Sequence, residues 1–203
     1  MRIRRALARL VMRAARWTPV GEVPEHSAIV VGGPHTSNWD WVATLLMMWG
    51  NGAEFRVLVK KELFKGPVGS ILRATGGIPL DRRNPGGIVR RLVKEAKRED
   101  ERFLLVLAAE GTREKAEYWK SGFYRIAQQS GLPIAMGFVD GRTRSFGFGP
   151  TIRPTGDVRA DMDLVRAFYA DKYGFRPENR TEPRLREELP RANEPGDRPP
   201  EAG

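Results

Sequence analysis

Between about residues 26 and 170, short apolar runs alternate with amphipathic stretches, and no other feature of this sequence restricts the fold as strongly. Residues 28–32 (AIVVG), 55–59 (FRVLV), 77–80 (GIPL), 103–109 (FLLVLAA) and 133–139 (PIAMGFV) are short and predominantly apolar, the pattern of strands buried on both faces. Residues 39–49, 66–74, 88–99 and 123–130 read as helices; in the third, Ile88, Leu92, Val93 and Ala96 recur at steps of three and four. Strands alternating with helices predict an α/β fold, a mostly parallel central sheet flanked by helices. At 203 residues the chain has room for one such domain with a real core.

The two ends have a different character. Arg2, Arg4, Arg5, Arg9, Arg13 and Arg16 all precede the first acidic residue, Glu22, in a chain of net charge +10. A block of this kind seeks a polyanion, either nucleic acid or an anionic membrane surface. Ile3, Leu7, Leu10, Val11, Ala14 and Trp17 fall on one helical stripe, so residues 1–25 are predicted to form a basic amphipathic helix that associates with a membrane. The competing reading packs the same stripe on the domain. Arg9 and Arg13 interrupt any signal-peptide core, and no run approaches the ~20 apolar residues of a spanning helix, so membrane contact would be peripheral. Residues 26–173 form the expected domain. Residues 174–203 hold six of the 15 prolines, many charges and few large apolar residues, and read as a disordered tail. With no cysteine and two histidines, neither a disulfide framework nor a His-rich metal site is expected.

One of those histidines lies in residues 33–40, GPHTSNWD. Ser37 to Asp40 fits a capping box, with Ser37 as N-cap and Asp40 reaching back to exposed backbone donors. On a continuous helix five residues turn through about 500°, so His35 and Asp40 can meet only if His35 lies in the preceding turn and Asp40 in the first helical turn. The aspartate would then fix the imidazole tautomer and leave the other nitrogen basic, suited to take a proton from a hydroxyl. Ser37 could instead be a nucleophile, but the capping role is preferred. A plain turn histidine is the bland reading. The strand at 103–109 runs into Glu110-Gly111-Thr112-Arg113, at the carboxyl end where open α/β sheets bind ligands. Gly111 permits close backbone approach, and Arg113 offers a fork for a phosphate or carboxylate; GGIPLDR (76–82) again ends in an arginine, Arg82, and either arginine could instead stand as a solvated loop charge. The helix holding Trp39, Trp41, Leu45, Leu46, Met47, Met48 and Trp49 reads as core, with part of it, or Leu63, Phe64, Val68 and Leu72, as an alternative lining for an alkyl chain.

Taken in order, HxxxxD at 35–40, KKELF at 60–64, GGIPLDR at 76–82, EGTR at 110–113 and LPI at 132–134 resemble the motif blocks of the 1-acylglycerol-3-phosphate acyltransferase family. The resemblance spans residues 25–140. It implies a glycerol-3-phosphate acyltransferase-like fold and transfer of a fatty acyl group from a thioester, on coenzyme A or acyl carrier protein, to an alcohol. His35 takes the role of general base and Asp40 orients it. Arg82, Glu110, Gly111, Thr112, Arg113 and Lys60, with Lys61 the alternative, match acceptor- and phosphate-binding positions. Trp39, Leu63, Phe64 and Met47 are the acyl-groove candidates. No metal and no cofactor beyond the acyl co-substrate is implied. Ala109 stands where the family often carries proline, and residues 132–136 (LPIAM) lack the second proline the family usually carries after Pro133-Ile134; both weaken the case for lysophosphatidic acid as acceptor.

The expected function is therefore an O-acyltransferase acting on a lysophospholipid such as 1-acylglycerol-3-phosphate, with a glycolipid or other lipid alcohol as the alternative acceptor. The expected location is cytoplasmic, peripheral at the inner face of the plasma membrane, with an anionic surface bound by the N-terminal arginines. A non-catalytic basic binder is the remote alternative. Nucleic acid is not an expected partner, because most aromatics lie in apolar runs rather than interleaved with basic residues.

Overall fold

A computed structural model describes residues 2–81, 85–96 and 102–189. After helix α1 (Arg2–Ala14) and strand β1 (Thr18–Val20), the expected alternation follows: β2 (Ala28–Gly33), α2 (Trp39–Gly50), β3 (Arg56–Lys60), α3 (Gly66–Ala74), β4 (Gly77–Leu80), α4 (Pro85–Ala96), β5 (Leu104–Ala108), α5 (Gly122–Ser130) and β6 (Ile134–Asp140). Strand β7 (Ser145–Ile152) and helix α6 (Val158–Tyr169) complete the domain.

The seven strands form one sheet in the order β1-β7-β6-β2-β5-β3-β4. Every pairing is parallel except β6 with β7. This is the expected α/β class, with one antiparallel hairpin. Strand β2 lies between β5 and β6, and its apolar residues are buried on both faces, as a central parallel strand requires. Ile29 and Val31 point into a core with Leu92 of α4, Phe123 and Ile126 of α5, and Met162 and Tyr169 of α6. Ala28 and Val30 point the other way, toward Met47 and Met48 of α2 and Met12 of α1.

Helix α1 is shorter than the expected 1–25: it ends at Ala14, Trp17 lies beyond it against Phe146 and Phe175, β1 follows at Thr18–Val20, and the helix packs by the face opposite the expected stripe. Ala8 and Met12 are buried against α2, where the absence of a side chain on Gly50 admits the Met12 methyl. The Arg9 Nε donates to the Gly50 carbonyl at 3.0 Å, and Arg4 lies over the Trp49 ring. The apolar stripe is left outward: Ile3 is 84%, Leu7 58% and Leu10 65% exposed. Among the described residues, no helix is long and apolar enough to cross a membrane.

The predicted disordered tail requires correction. Residues 174–189 pack on the domain: Leu185 and Thr181 are buried, Phe175 meets Trp17, and Arg166 of α6 pairs with Glu188 at 2.6 Å. Composition misled because the segment is ordered by a few buried side chains and by backbone hydrogen bonds to loops, neither of which an apolar count detects. Residues 190–203 lie outside the described residues.

Candidate active site

Parallel strands bring their carboxyl ends to one edge of the sheet. There β2 ends at Gly33, β3 at Lys60, β4 at Leu80 and β5 at Ala108, so HxxxxD, the Lys60 turn and EGTR converge. The register between β3 and β5 stops at Val57↔Val106, while β3 stays with β4 to Lys60 and β5 stays with β2 to Ala108. The two strands therefore part company at their carboxyl ends. A cavity of about 790 Å³ occupies this region, lined by His35, Asp40, Met47, Lys60, Leu63, Gly111, Thr112 and Arg113 among others.

A cis peptide bond joins Gly33 and Pro34, and His35 follows in the turn before α2. The His35 Nδ1 lies 3.2 Å from the Asp40 Oδ2. That same oxygen accepts the backbone N–H groups of Thr36 (2.6 Å) and Ser37 (2.7 Å). Asp40 is thus fixed by the backbone of the turn it faces, and the imidazole is oriented by a carboxylate that cannot swing away. The capping box is realised only in part. The helix N-cap is Asn38, with no side-chain cap bond, and the Ser37 Oγ accepts the Trp39 N–H at 3.3 Å instead of a donor further along. Asp40 performs the expected reach-back. Ser37 is buried and does not line the cavity, which fits capping rather than a nucleophile.

Glu110 lies elsewhere than its expected place among the acceptor-binding residues. It is fully buried, it does not line the cavity, and its Oε2 accepts the His35 backbone N–H at 2.9 Å. Burial pushes its carboxyl up to about 8 from the ordinary 4.5; the His35 N–H and the charge of Arg180 oppose the rise, and the neighbouring Asp40 adds to it. Among the described residues no donor reaches Glu110 Oε1 or Asp40 Oδ1. Glu110 thus holds the backbone of the histidine turn and does not face the cavity.

The other site residues separate clearly. Gly111 adopts φ +69°, and a side chain there would lie 2.9 Å from the Lys120 Cγ. Lys120 lines the cavity and was missed at the sequence level, since it lies seven residues beyond EGTR and outside every quoted motif. Lys60 lines the cavity, whereas Lys61 pairs with Asp81 at 3.2 Å, which favours Lys60 of the two. Of the acyl-groove candidates, Met47 and Leu63 line the cavity. Trp39 does not, being 65% exposed, and Phe64 is buried beneath Arg73. Arg82 lies outside the described residues. The site thus combines an Asp-oriented imidazole, an apolar cavity and the cations Lys60, Arg113 and Lys120, a combination suited to an amphiphilic anion with a hydroxyl to be deprotonated.

The architecture is similar to the crystal structure of the 1-acyl-sn-glycerophosphate (LPA) acyltransferase PlsC from Thermotoga maritima. The TM-score is 0.54 at 18% identity, covering 76% of this chain and 69% of that one, a likeness of fold. A search of curated proteins returned no match. A family model described as Acyltransferase matches residues 16–136, more than half of the sequence and the stretch that contains HxxxxD and EGTR. The chain belongs to the acyltransferase family and is an O-acyltransferase.

Proposed function

We propose that the protein moves a fatty acyl group from a thioester of coenzyme A or acyl carrier protein to the hydroxyl of a lysophospholipid, with 1-acylglycerol-3-phosphate the leading acceptor. The observation that carries this reading is the 3.2 Å His35–Asp40 pair at the wall of an apolar cavity edged by cations. With Nδ1 held by Asp40, Nε2 is the nitrogen left to take the acceptor's hydroxyl proton. The alkoxide oxygen attacks the thioester carbonyl, the C–S bond breaks, and the imidazolium returns the proton to the departing thiolate. Because the thioester is already activated, holding the hydroxyl against it supplies much of the acceleration. Met47 and Leu63 contribute alkyl-chain contacts, and Lys60, Arg113 and Lys120 attract the acceptor's phosphate.

Mass spectrometry of a mixed lipid extract incubated with protein and acyl-CoA tests this directly. The expected product is a diacylated phospholipid. Arg113→Ala should raise KM for phosphorylated acceptors about tenfold, in line with the loss of one charge-assisted contact, and leave non-phosphorylated alcohols unaffected. Exclusive acylation of a glycolipid would replace the leading acceptor with the alternative one.

The outward stripe of α1 supports the peripheral membrane reading, since exposed Ile3, Leu7 and Leu10 share the helix with five arginines. Trp39 and Leu63, both exposed, extend apolar surface to the neighbourhood of the cavity. Leu7→Glu with Leu10→Glu should abolish co-sedimentation with phosphatidylglycerol vesicles, with stability within about 0.5 kcal/mol of the parent because both side chains are mostly exposed. Undiminished vesicle binding by the double variant would remove α1 from this role.

A further inference from the structure

The family match ends at residue 136, yet the HxxxxD turn is held by chain some 40 residues further on. After α6 the chain doubles back across the carboxyl edge of the sheet. Arg180 fixes that reversal: its guanidinium donates to the carbonyls of Tyr169 and Lys172 and pairs with Glu182 at 2.9 Å. The segment then touches both site loops.

At the histidine turn the contact point is Thr36, which is buried. Its Oγ1 accepts the Arg176 backbone N–H at 3.0 Å, and its own N–H is one of the two donors to Asp40. Gly174 is wedged alongside at φ +71°; a side chain there would come within 2.6 Å of the Thr36 Oγ1 and 3.2 Å of the Pro34 carbonyl oxygen. Gly174 is itself tied to the end of β6, accepting the Gly141 N–H at 2.9 Å. At the loop following EGTR, the Thr181 Oγ1 accepts the Ala116 N–H at 2.9 Å, and the Arg184 carbonyl accepts the Trp119 N–H at 2.8 Å. Trp119 completes the circuit, because its ring packs on Gly33 and on Tyr169.

We infer that residues 174–189 are a strap that sets the position of His35 relative to the EGTR loop, with Thr36 as its point of attachment to the catalytic turn. This assignment rests on the acyl-transfer reading for its kinetic consequence but not for its structural one. Thr36 is a positioning residue: it acts on the reaction through the turn that carries His35 and Asp40. Thr36→Val keeps the shape and removes the acceptor, leaving the Arg176 N–H unpaired. Displacement of the turn by a fraction of an ångström to an ångström lowers the rate of the positioned reaction without weakening thioester binding.

The test compares Thr36→Val, Thr36→Ser and the parent by steady-state kinetics and by amide hydrogen exchange over residues 33–41. Thr36→Val should lower kcat about 10- to 100-fold at unchanged KM for acyl-CoA and speed exchange at the amides of residues 35–37. Thr36→Ser, which keeps the oxygen, should restore both. Gly174→Ala, which presses on the same oxygen from the strap side, should reproduce the effect of Thr36→Val. Parent-like exchange in Thr36→Val overturns the strap, as does a loss that Thr36→Ser shares in full. If the parent shows no transfer with any donor and acceptor, the acyl-transfer reading fails, and the exchange comparison still decides the strap.

Discussion

Replacing His35 with alanine is expected to reduce acyl transfer by at least about 10²–10⁴-fold, the range a positioned general base supplies. The fold should survive, for reasons visible in the turn. The His35 side chain is a quarter exposed, and Asp40 keeps its two backbone donors, Thr36 and Ser37, when the imidazole is gone. KM for acyl-CoA should change little, because the imidazole acts on the acceptor hydroxyl. Asp40→Ala should behave differently. It removes the acceptor from two buried N–H groups, so it costs stability, about 1–3 kcal/mol for each donor left unpaired, as well as rate. A single-turnover assay with radiolabelled acyl-CoA, run beside urea unfolding, separates the two variants. Near-normal turnover by the His35 variant would sink the mechanism.

The second large effect belongs to Glu110 and is read as stability against pH. Its carboxyl ionises near 4.5 in the unfolded chain and near 8 when folded, chiefly because burial disfavours the charge. Over that window the folded state binds the proton that the unfolded state has released, so stability falls as pH rises from about 4.5 to about 8. The part of stability contributed by the protonated carboxyl is fully present below the lower value and gone above the upper one. Its size is on the order of a few kcal/mol. Glu110→Gln retains an oxygen for the His35 N–H and does not titrate. The difference in unfolding free energy between parent and variant should therefore shift in the variant's favour from pH 5 to about pH 8 and level off above it. Parallel pH profiles for the two proteins would contradict the assignment.

Much of this molecule was legible in its sequence, and the failures have physical reasons. Strands such as 28–33 and 134–140 announce themselves because a parallel strand buried on both faces is necessarily apolar along its length. The arrangement in which His35 and Asp40 meet was legible because helical geometry allows only one, with His35 in the turn before the helix and Asp40 in its first turn. Strand β1 is three residues long and all exposed, so it carries no burial pattern to read. In α1 the periodicity was plain, yet it could not say which face meets the protein: Met12 and Ala8 dock with arginines around them, and the more apolar side is left free. Glu110 stands in a motif rich in polar residues, and nothing local distinguishes a carboxylate that turns inward from one that meets substrate. Lys120 and Thr36 acquire their roles only through contacts with other loops, which linear spacing does not encode.

The Thr36–Arg176 contact, spanning 140 positions, also has a consequence for the life of the molecule before it is finished. A chain emerging from the ribosome presents the histidine turn early, and the strands flanking β2 follow as β5 and β6 appear. The length matched by the family model is complete by residue 136, when the turn's anchor has yet to be made. Competence to acylate would then arrive only once residues 174–189 have been synthesised, and a product truncated before Arg176 would carry the HxxxxD and EGTR motifs without a settled base.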